Sequence, residues 1–219
     1  GRPLPDALLR NDPEAMQAGM ANLEGHLAAL REFGIPVVVA INRFPSDSDE
    51  EIRLLRTLAI EAGAARVAES NAFSCGSDGS LELADAVMDA CRNPGNFRHL
   101  YALDVPLADK IEQIAARIYG ADGVDFADGV REQLAEFEGR GFQQLPVCVA
   151  KTQYSLSHDP KRTGRPVGVR LPIREVRLAA GAGFVLALTE GINLMPGLPR
   201  EPAARRIDVD TDGCIIGVR

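Results

Sequence analysis

The chain has 219 residues, of which 46% are hydrophobic and 25% charged, with a formal net charge of −7. That composition suffices for one large or two small domains with a real core. The acidic balance argues against non-specific nucleic-acid binding, which needs a basic footprint, but leaves room for an anionic small ligand, because a local pocket can oppose the global sign.

Residues 14–33 carry Met16, Met20, Leu23, Leu27 and Leu30 at helical spacing. Asn11-Asp12-Pro13 with Glu14 is an N-terminal helix signal, and Gly34 and Pro36 end the helix. Ile35 to Ile41 is a near-continuous β-branched run, as expected of a strand buried on both faces of a parallel sheet. Asp47-Ser48-Asp49 caps a second helix over 49–62, carrying Ile52, Leu55, Leu58 and Ala59. A short strand is expected over Ala65–Ala68, a Gly-rich turn over Gly76–Ser80 and a third helix over Leu81–Cys91. Asn93-Pro94-Gly95 breaks the pattern. Helices follow at Leu107–Tyr119 and Ala127–Arg140. From residue 145 the chain turns to strands. Pro166–Val176 alternates, with Val167, Val169, Leu171 and Ile173 on one face, and Phe184–Leu188 and Cys214–Val218 follow. Residues 1–92 therefore read as α/β and residues 103–219 as a mixed α+β module.

The four cysteines, Cys75, Cys91, Cys148 and Cys214, form no C-x-x-C pair and stand at no metal-ligand spacing from His26, His99 or His158. No metal site is expected from them, and they read as small buried hydrophobes in a reducing compartment. No apolar run approaches the roughly 20 residues of a membrane span, and no signal-peptide pattern is visible. A cytoplasmic protein without a membrane or nucleic-acid partner is the expectation. The opening Gly1-Arg2-Pro3, without an initiator Met, suggests a fragment, a processed chain or an excised domain.

Four constellations carry candidate chemistry. Ile41-Asn42-Arg43-Phe44-Pro45 ends the first strand, where ligands gather in open α/β sheets. The Asn42 carboxamide can read an adenine or pterin edge, Arg43 can meet a phosphate or carboxylate, and Phe44 before Pro45 can present a flat face. Alternatively, Asn42 caps the turn and Phe44 is core. In Phe73-Ser74-Cys75-Gly76-Ser77-Asp78-Gly79-Ser80, an aromatic residue precedes a Gly-rich loop that opens a helix. Such a loop can bring N–H groups to an anion, or be an ordinary turn beside a buried Phe. It is not a Walker A loop. The Lys151–Pro160 segment, KTQYSLSHDP, is dense in hydrogen-bonding groups. It reads as a polar loop that fixes domain geometry or lines a cleft, with Lys151 and Thr152 foremost. His158 beside Asp159 is not read as a dyad, because sequence neighbours seldom point at one another and no nucleophile motif is present. Finally, Met195-Pro196-Gly197-Leu198-Pro199 is a rigid apolar turn that either walls a pocket or closes a strand pair.

Taken in order, these strings resemble the formate–tetrahydrofolate ligase family nearly end to end. The resemblance rests on Ala21-Asn22-Leu23-Glu24-Gly25-His26, Gly34 to Phe44, Ile118-Tyr119-Gly120-Ala121-Asp122, Leu145-Pro146-Val147-Cys148 and the Lys151–Pro160 loop. Gly181-Ala182-Gly183-Phe184 and Met195–Pro199 complete it. It implies the last strand and helices of a P-loop-type parallel α/β domain, followed by a smaller α+β C-terminal domain. The implied division is 1–47 as the remnant of the nucleotide-binding domain, 48–102 as an α/β unit walling the folate or nucleotide cleft, and 103–219 as the C-terminal domain. It further implies an ATP-dependent, Mg2+-requiring enzyme that makes formyl phosphate and passes the formyl group to tetrahydrofolate, acting as a homo-oligomer. An aromatic pair, falling on Phe44 and Phe73, would clamp the flat ring beside Asn42 and Pro45. The sequence departs from the family at Phe73, where many members carry Trp, and at Cys75, Ser77 and Ser80 in the Gly-rich turn. The family's G-x-x-x-x-G-K-[ST] loop is absent from these residues, so this stretch alone is expected to be inactive and the catalytic groups to lie elsewhere in the protein. The competing expectation is a non-catalytic folate-binding or assembly module.

Overall fold

The computed structural model describes residues 11–192 and 200–218. The turn containing Met195, Pro196 and Gly197 lies outside the described residues.

Asp12 opens helix α1 (Pro13–Arg31), its carboxylate accepting the Ala15 N–H at 2.9 Å. Pro13 stands in the first turn, where a missing N–H costs nothing. Strand β1 (Val38–Asn42) pairs in parallel with β2 (Arg66–Ser70), from Val38 opposite Arg66 to Asn42 opposite Ser70. A parallel pair needs a crossover, and helix α2 (Asp49–Glu61) supplies it. Its start is fixed by a reciprocal cap: Ser48 Oγ accepts the Glu51 N–H and the Glu51 carboxylate accepts the Ser48 N–H at 3.1 Å. After β2 come a single helical turn, α3 (Ala72–Cys75), a 3-10 turn over Gly76–Ser80, and α4 (Leu81–Arg92). Leu27, Ile41, Ile52, Ala59, Ala64 and Val67 bury together as the core of this unit.

A second core lies under a mixed sheet. Helix α5 (Leu107–Tyr119) leads to β3 (Gly123–Phe126), α6 (Val130–Phe137), a π-type turn over Glu138–Phe142, β4 (Val147–Ala150), β5 (Arg170–Ala179) and β6 (Phe184–Thr189). The order is β3-β5-β6-β4, with β3 parallel to β5, β4 parallel to β6, and β5 antiparallel to β6. Leu107, Ile111 and Ala115 of α5 and Val130, Leu134 and Phe137 of α6 bury against Leu171, Ile173, Val176, Val185 and Ala187 of the sheet. A short exposed hairpin, β7 (Asp208–Val209) and β8 (Ile215–Ile216), follows. The described residues thus form a mixed α/β protein with one parallel sheet, one mixed sheet and the antiparallel hairpin.

Within this second unit Lys110 is fully buried. Its ammonium donates to the carbonyls of Leu103 at 2.7 Å, Gln143 at 2.5 Å and Leu145 at 3.0 Å. Burial pushes its pKa below the ordinary lysine range, while three acceptors satisfy the three N–H donors that the charged form carries.

Several expectations are corrected. β1 is not buried on both faces: Ile41 alone is buried, because β2 is the only strand beside it among the described residues. The helix over 127–140 is shorter and ends in the π-type turn, where Gly141 takes a positive φ of 88°. The strand over 166–176 begins only at Arg170, and Val167 is exposed. The register shifts between Ile173 and Glu175, so Val176 follows Ile173 onto the buried face and the alternation breaks by one residue. Strand β3 had no signal of its own, its four residues being too few to show alternation. All four cysteines are exposed on this chain, not buried.

Candidate functional site

The carboxyl ends of β1 and β2 lie side by side, because the parallel register sets Asn42 opposite Ser70 and the Arg43 N–H donates to the Ser70 carbonyl at 3.0 Å. Each end carries a phenylalanine a few residues on. Phe44 is 48% exposed and Phe73 is 76% exposed, with ring centroids 6.1 Å apart and planes inclined by 47°. Phe44 is therefore not a core residue. Exposing two large apolar rings forgoes burial worth about 1.5–3 kcal/mol for a fully buried Phe. Asn42 and Pro45 flank Phe44 and are also exposed.

The backbone beside each ring is tightly held. The Phe44 N–H donates to the Asp47 carboxylate at 2.8 Å, and the Asp47 N–H returns to the Phe44 carbonyl at 3.0 Å. Asp47, not Asn42, caps this turn. On the other side the Asn71 N–H donates to the Gly79 carbonyl at 2.8 Å, closing the loop that contains Phe73. The Ser74 and Cys75 N–H groups are spent on the Asn71 carbonyl. The Gly-rich segment is a compact 3-10 turn, and the amides just before it, of Ser74 and Cys75, serve the loop itself rather than an outside anion.

A flat ring held between two others needs about 7 Å between them, two stacking distances of ~3.5 Å. The two phenylalanines touch at 6.1 Å. A sandwiched ligand therefore requires them to part by about 1 Å and to turn toward parallel, while stacking on the outer face of Phe73 requires no movement.

By its chemistry Arg43 can meet a phosphate or carboxylate from outside the chain. Its two terminal nitrogens instead meet Asp49, at the start of α2, and Glu69 of β2, the latter at 3.1 Å. Those bonds, that to Asp49 foremost, raise the Arg43 pKa, and Arg43 in turn lowers that of Asp49. The second Glu69 oxygen holds Arg56 of α2 at 3.1 Å, and Arg56 reaches Glu82 of α4 at 2.9 Å. Sequence reasoning missed Glu69, Arg56 and Glu82, since only the strand register brings them together.

Lys151 and Thr152 lie elsewhere, along a cavity of about 350 Å³ bordered by Asn22 and His26 of α1 and by Tyr119. The Lys151 ammonium donates to the carbonyls of Thr152, at 2.8 Å, and Ser155, and stands 5.0 Å from the Tyr119 ring centroid. Its pKa is lowered by burial. Lys151 so pins its own loop. Asp159 accepts the Lys161 N–H at 2.9 Å, and His158 Nδ1 is buried without a partner, so the two form no dyad. Among the described residues no group of three or more His, Cys, Asp or Glu side chains is placed to hold a metal ion. Nor is any helix there long and apolar enough to cross a membrane. No such cluster among the described residues is available to Mg2+, and no chemical step is routed through it.

In open α/β sheets ligands gather at the carboxyl ends of the strands, and there this mixed α/β chain displays its paired aromatic rings. The family model for formate–tetrahydrofolate ligase matches residues 1–219. The formate–tetrahydrofolate ligase of Roseiflexus sp. (strain RS-1) is 51% identical over 218 residues, covering 100% of this chain and 39% of the relative. That of Symbiobacterium thermophilum is 53% identical over 214 residues, covering 97% and 38%. The cytoplasmic C-1-tetrahydrofolate synthase of Schizosaccharomyces pombe is 45% identical over 219 residues, covering 100% of the chain and 23% of that protein. The chain belongs to the formate–tetrahydrofolate ligase family. It spans about two fifths of the length of the bacterial relatives.

Proposed function

We propose that this chain is the C-terminal portion of an ATP-dependent ligase that joins formate to tetrahydrofolate. Formate attacks the γ-phosphorus of ATP to give formyl phosphate and ADP. N10 of tetrahydrofolate then attacks the formyl carbon, and phosphate leaves with the bonding pair as N10 loses its proton. The remainder of the protein supplies the P-loop, the Mg2+ site and the formyl phosphate site, on which phosphoryl transfer depends. In this division residues 1–47 complete the nucleotide-binding α/β domain, 48–102 wall the folate cleft, and 103–219 form the C-terminal domain. The enzyme works in the cytoplasm as a homo-oligomer.

The observation that carries this reading is the exposed Phe44–Phe73 pair at the ends of adjacent parallel strands, in a family of folate ligases. In this reading the two rings, once parted, take a pterin between them, and the exposed Asn42 carboxamide pairs with its edge. Neither group moves a proton or bears charge. Their work is orientation, which converts binding energy into rate by holding N10 at the formyl carbon.

The test is an assay with ATP, formate, tetrahydrofolate and Mg2+ before and after the rest of the protein is added. The 219-residue chain alone should hydrolyse no ATP and form no 10-formyltetrahydrofolate. Lys151-Thr152 is the only Lys-Ser/Thr pair in it, and no glycine loop precedes that pair. Turnover by the chain alone overturns the division of labour. A full-length protein that binds folate but never turns over favours the non-catalytic module.

A further inference from the structure

We propose that Arg43 is a positioning residue for the ring site and not a ligand for a substrate anion. Its guanidinium ties the end of β1 to β2 and to the first turn of α2, and thereby sets where Phe44 stands relative to Phe73. The inference rests on the reading of Phe44 and Phe73 as the folate ring site.

Arg43 is the residue immediately before Phe44. Both of its terminal nitrogens are occupied, by Glu69 and by Asp49. Glu69 lies opposite Ile41 in the strand register, one residue before Ser70, where the Phe73 loop departs. Glu69 is itself fixed from three sides: Arg43 on one oxygen, Arg56 on the other, and its own N–H donating to Glu82 at 3.2 Å. Arg56 also donates to the Val67 carbonyl at 2.9 Å. The relay therefore joins the end of β1, α2, β2 and α4, and the two rings stand just beyond β1 and just beyond β2. An incoming phosphate or carboxylate would have to displace a carboxylate already in place. A planar fork spanning two carboxylates is a task for Arg, and a lysine ammonium cannot reproduce it.

The experiment uses the full-length protein and compares Arg43→Lys, Arg43→Gln, Glu69→Gln and Phe44→Ala. Steady-state constants for tetrahydrofolate, ATP and formate are measured beside thermal unfolding. Arg43→Gln, Arg43→Lys and Glu69→Gln should each raise the KM for tetrahydrofolate by roughly three- to tenfold, as misplacement by a fraction of an ångström does. The KM values for ATP and formate should stay within about twofold, and the unfolding midpoint should not move enough to explain the loss. An anion ligand would behave differently. Lysine would restore function, Glu69→Gln would not weaken folate, and Arg43→Gln would raise the constant of ATP or formate, and that pattern overturns the proposal. If Phe44→Ala weakens folate while the Arg43 variants do not, the positioning role alone is refuted. If Phe44→Ala leaves folate unchanged, the ring-site reading fails and this inference with it.

Discussion

Gly79→Ala should weaken folate without touching it. The Cβ of an alanine at 79 would fall on the Asn71 carbonyl group, 2.5 Å from its carbon and closer to its oxygen, and 3.0 Å from the Ala72 nitrogen. Ordinary contact begins near 3.4 Å, so one side of the loop must retreat by about 1 Å. The atoms in the way are backbone, which cannot rotate aside. The Asn71–Gly79 hydrogen bond that closes the loop is the first thing lost, at about 1 kcal/mol. Phe73 sits two residues from Asn71, inside that loop, and moves with it. If the displacement removes one ring from the stack, about 0.5–1.5 kcal/mol of stacking disappears, a rise of roughly two- to twelvefold in the folate constant. The core under β1 and β2 is untouched, since neither Gly79 nor Phe73 belongs to it. The assay is the KM for tetrahydrofolate in the full-length protein, beside amide exchange over residues 70–82. Folate binding at the unmodified level with exchange in that segment unaltered would refute the reasoning. Gly19→Ala is the control: nothing lies within 4 Å of its Cβ, and α1 should gain about 0.5–1 kcal/mol.

Four further outcomes are expected. Phe73→Trp enlarges an exposed ring and should lower the folate constant about twofold or more, read as the KM for tetrahydrofolate in the full-length protein; an unchanged or higher constant would contradict it. Lys110→Met leaves three loop carbonyls without their donor and should destabilise the protein by about 3–5 kcal/mol, seen as faster amide exchange in α5 and a lower urea midpoint; a loss below about 1 kcal/mol would contradict it. Asp49 has its pKa lowered below 3.8 by Arg43, so the ion pair stabilises fully above that value and fades as pH falls through the lower, folded one; a carboxyl-carbon titration should show that midpoint, and Arg43→Gln should return it toward 3.8. His158→Gln in the full-length protein should keep activity within about tenfold, because removing a true general base costs 10²–10⁴, and His158 has no Asp159 hydrogen bond to orient it.

Much of this protein is legible along the chain. The helices at 13–31, 49–61, 81–92 and 107–119 follow from apolar spacing and from caps at Asp12 and Ser48, which are local rules that need no neighbours. The family follows from long strings in order. Phe44 and Phe73 are visible as aromatics after successive strands, but whether they are core or surface is decided by what covers them, and the described residues leave both rings exposed. The role of Arg43 is likewise invisible in sequence. Glu69 is 26 residues away, Glu82 stands 13 beyond that, and only the Ile41–Glu69 register and the packing of α2 and α4 make them one network. The same holds for Lys110, whose three acceptors come from two loops. Strand β3 and the slip at Ile173 belong to pairing as well: a four-residue strand has no period to read, and a bulge is defined only against a partner. Helices are fixed by neighbours in sequence, which the chain displays. Strand partners, ion-pair networks and exposure are fixed by neighbours in space, which only the fold supplies.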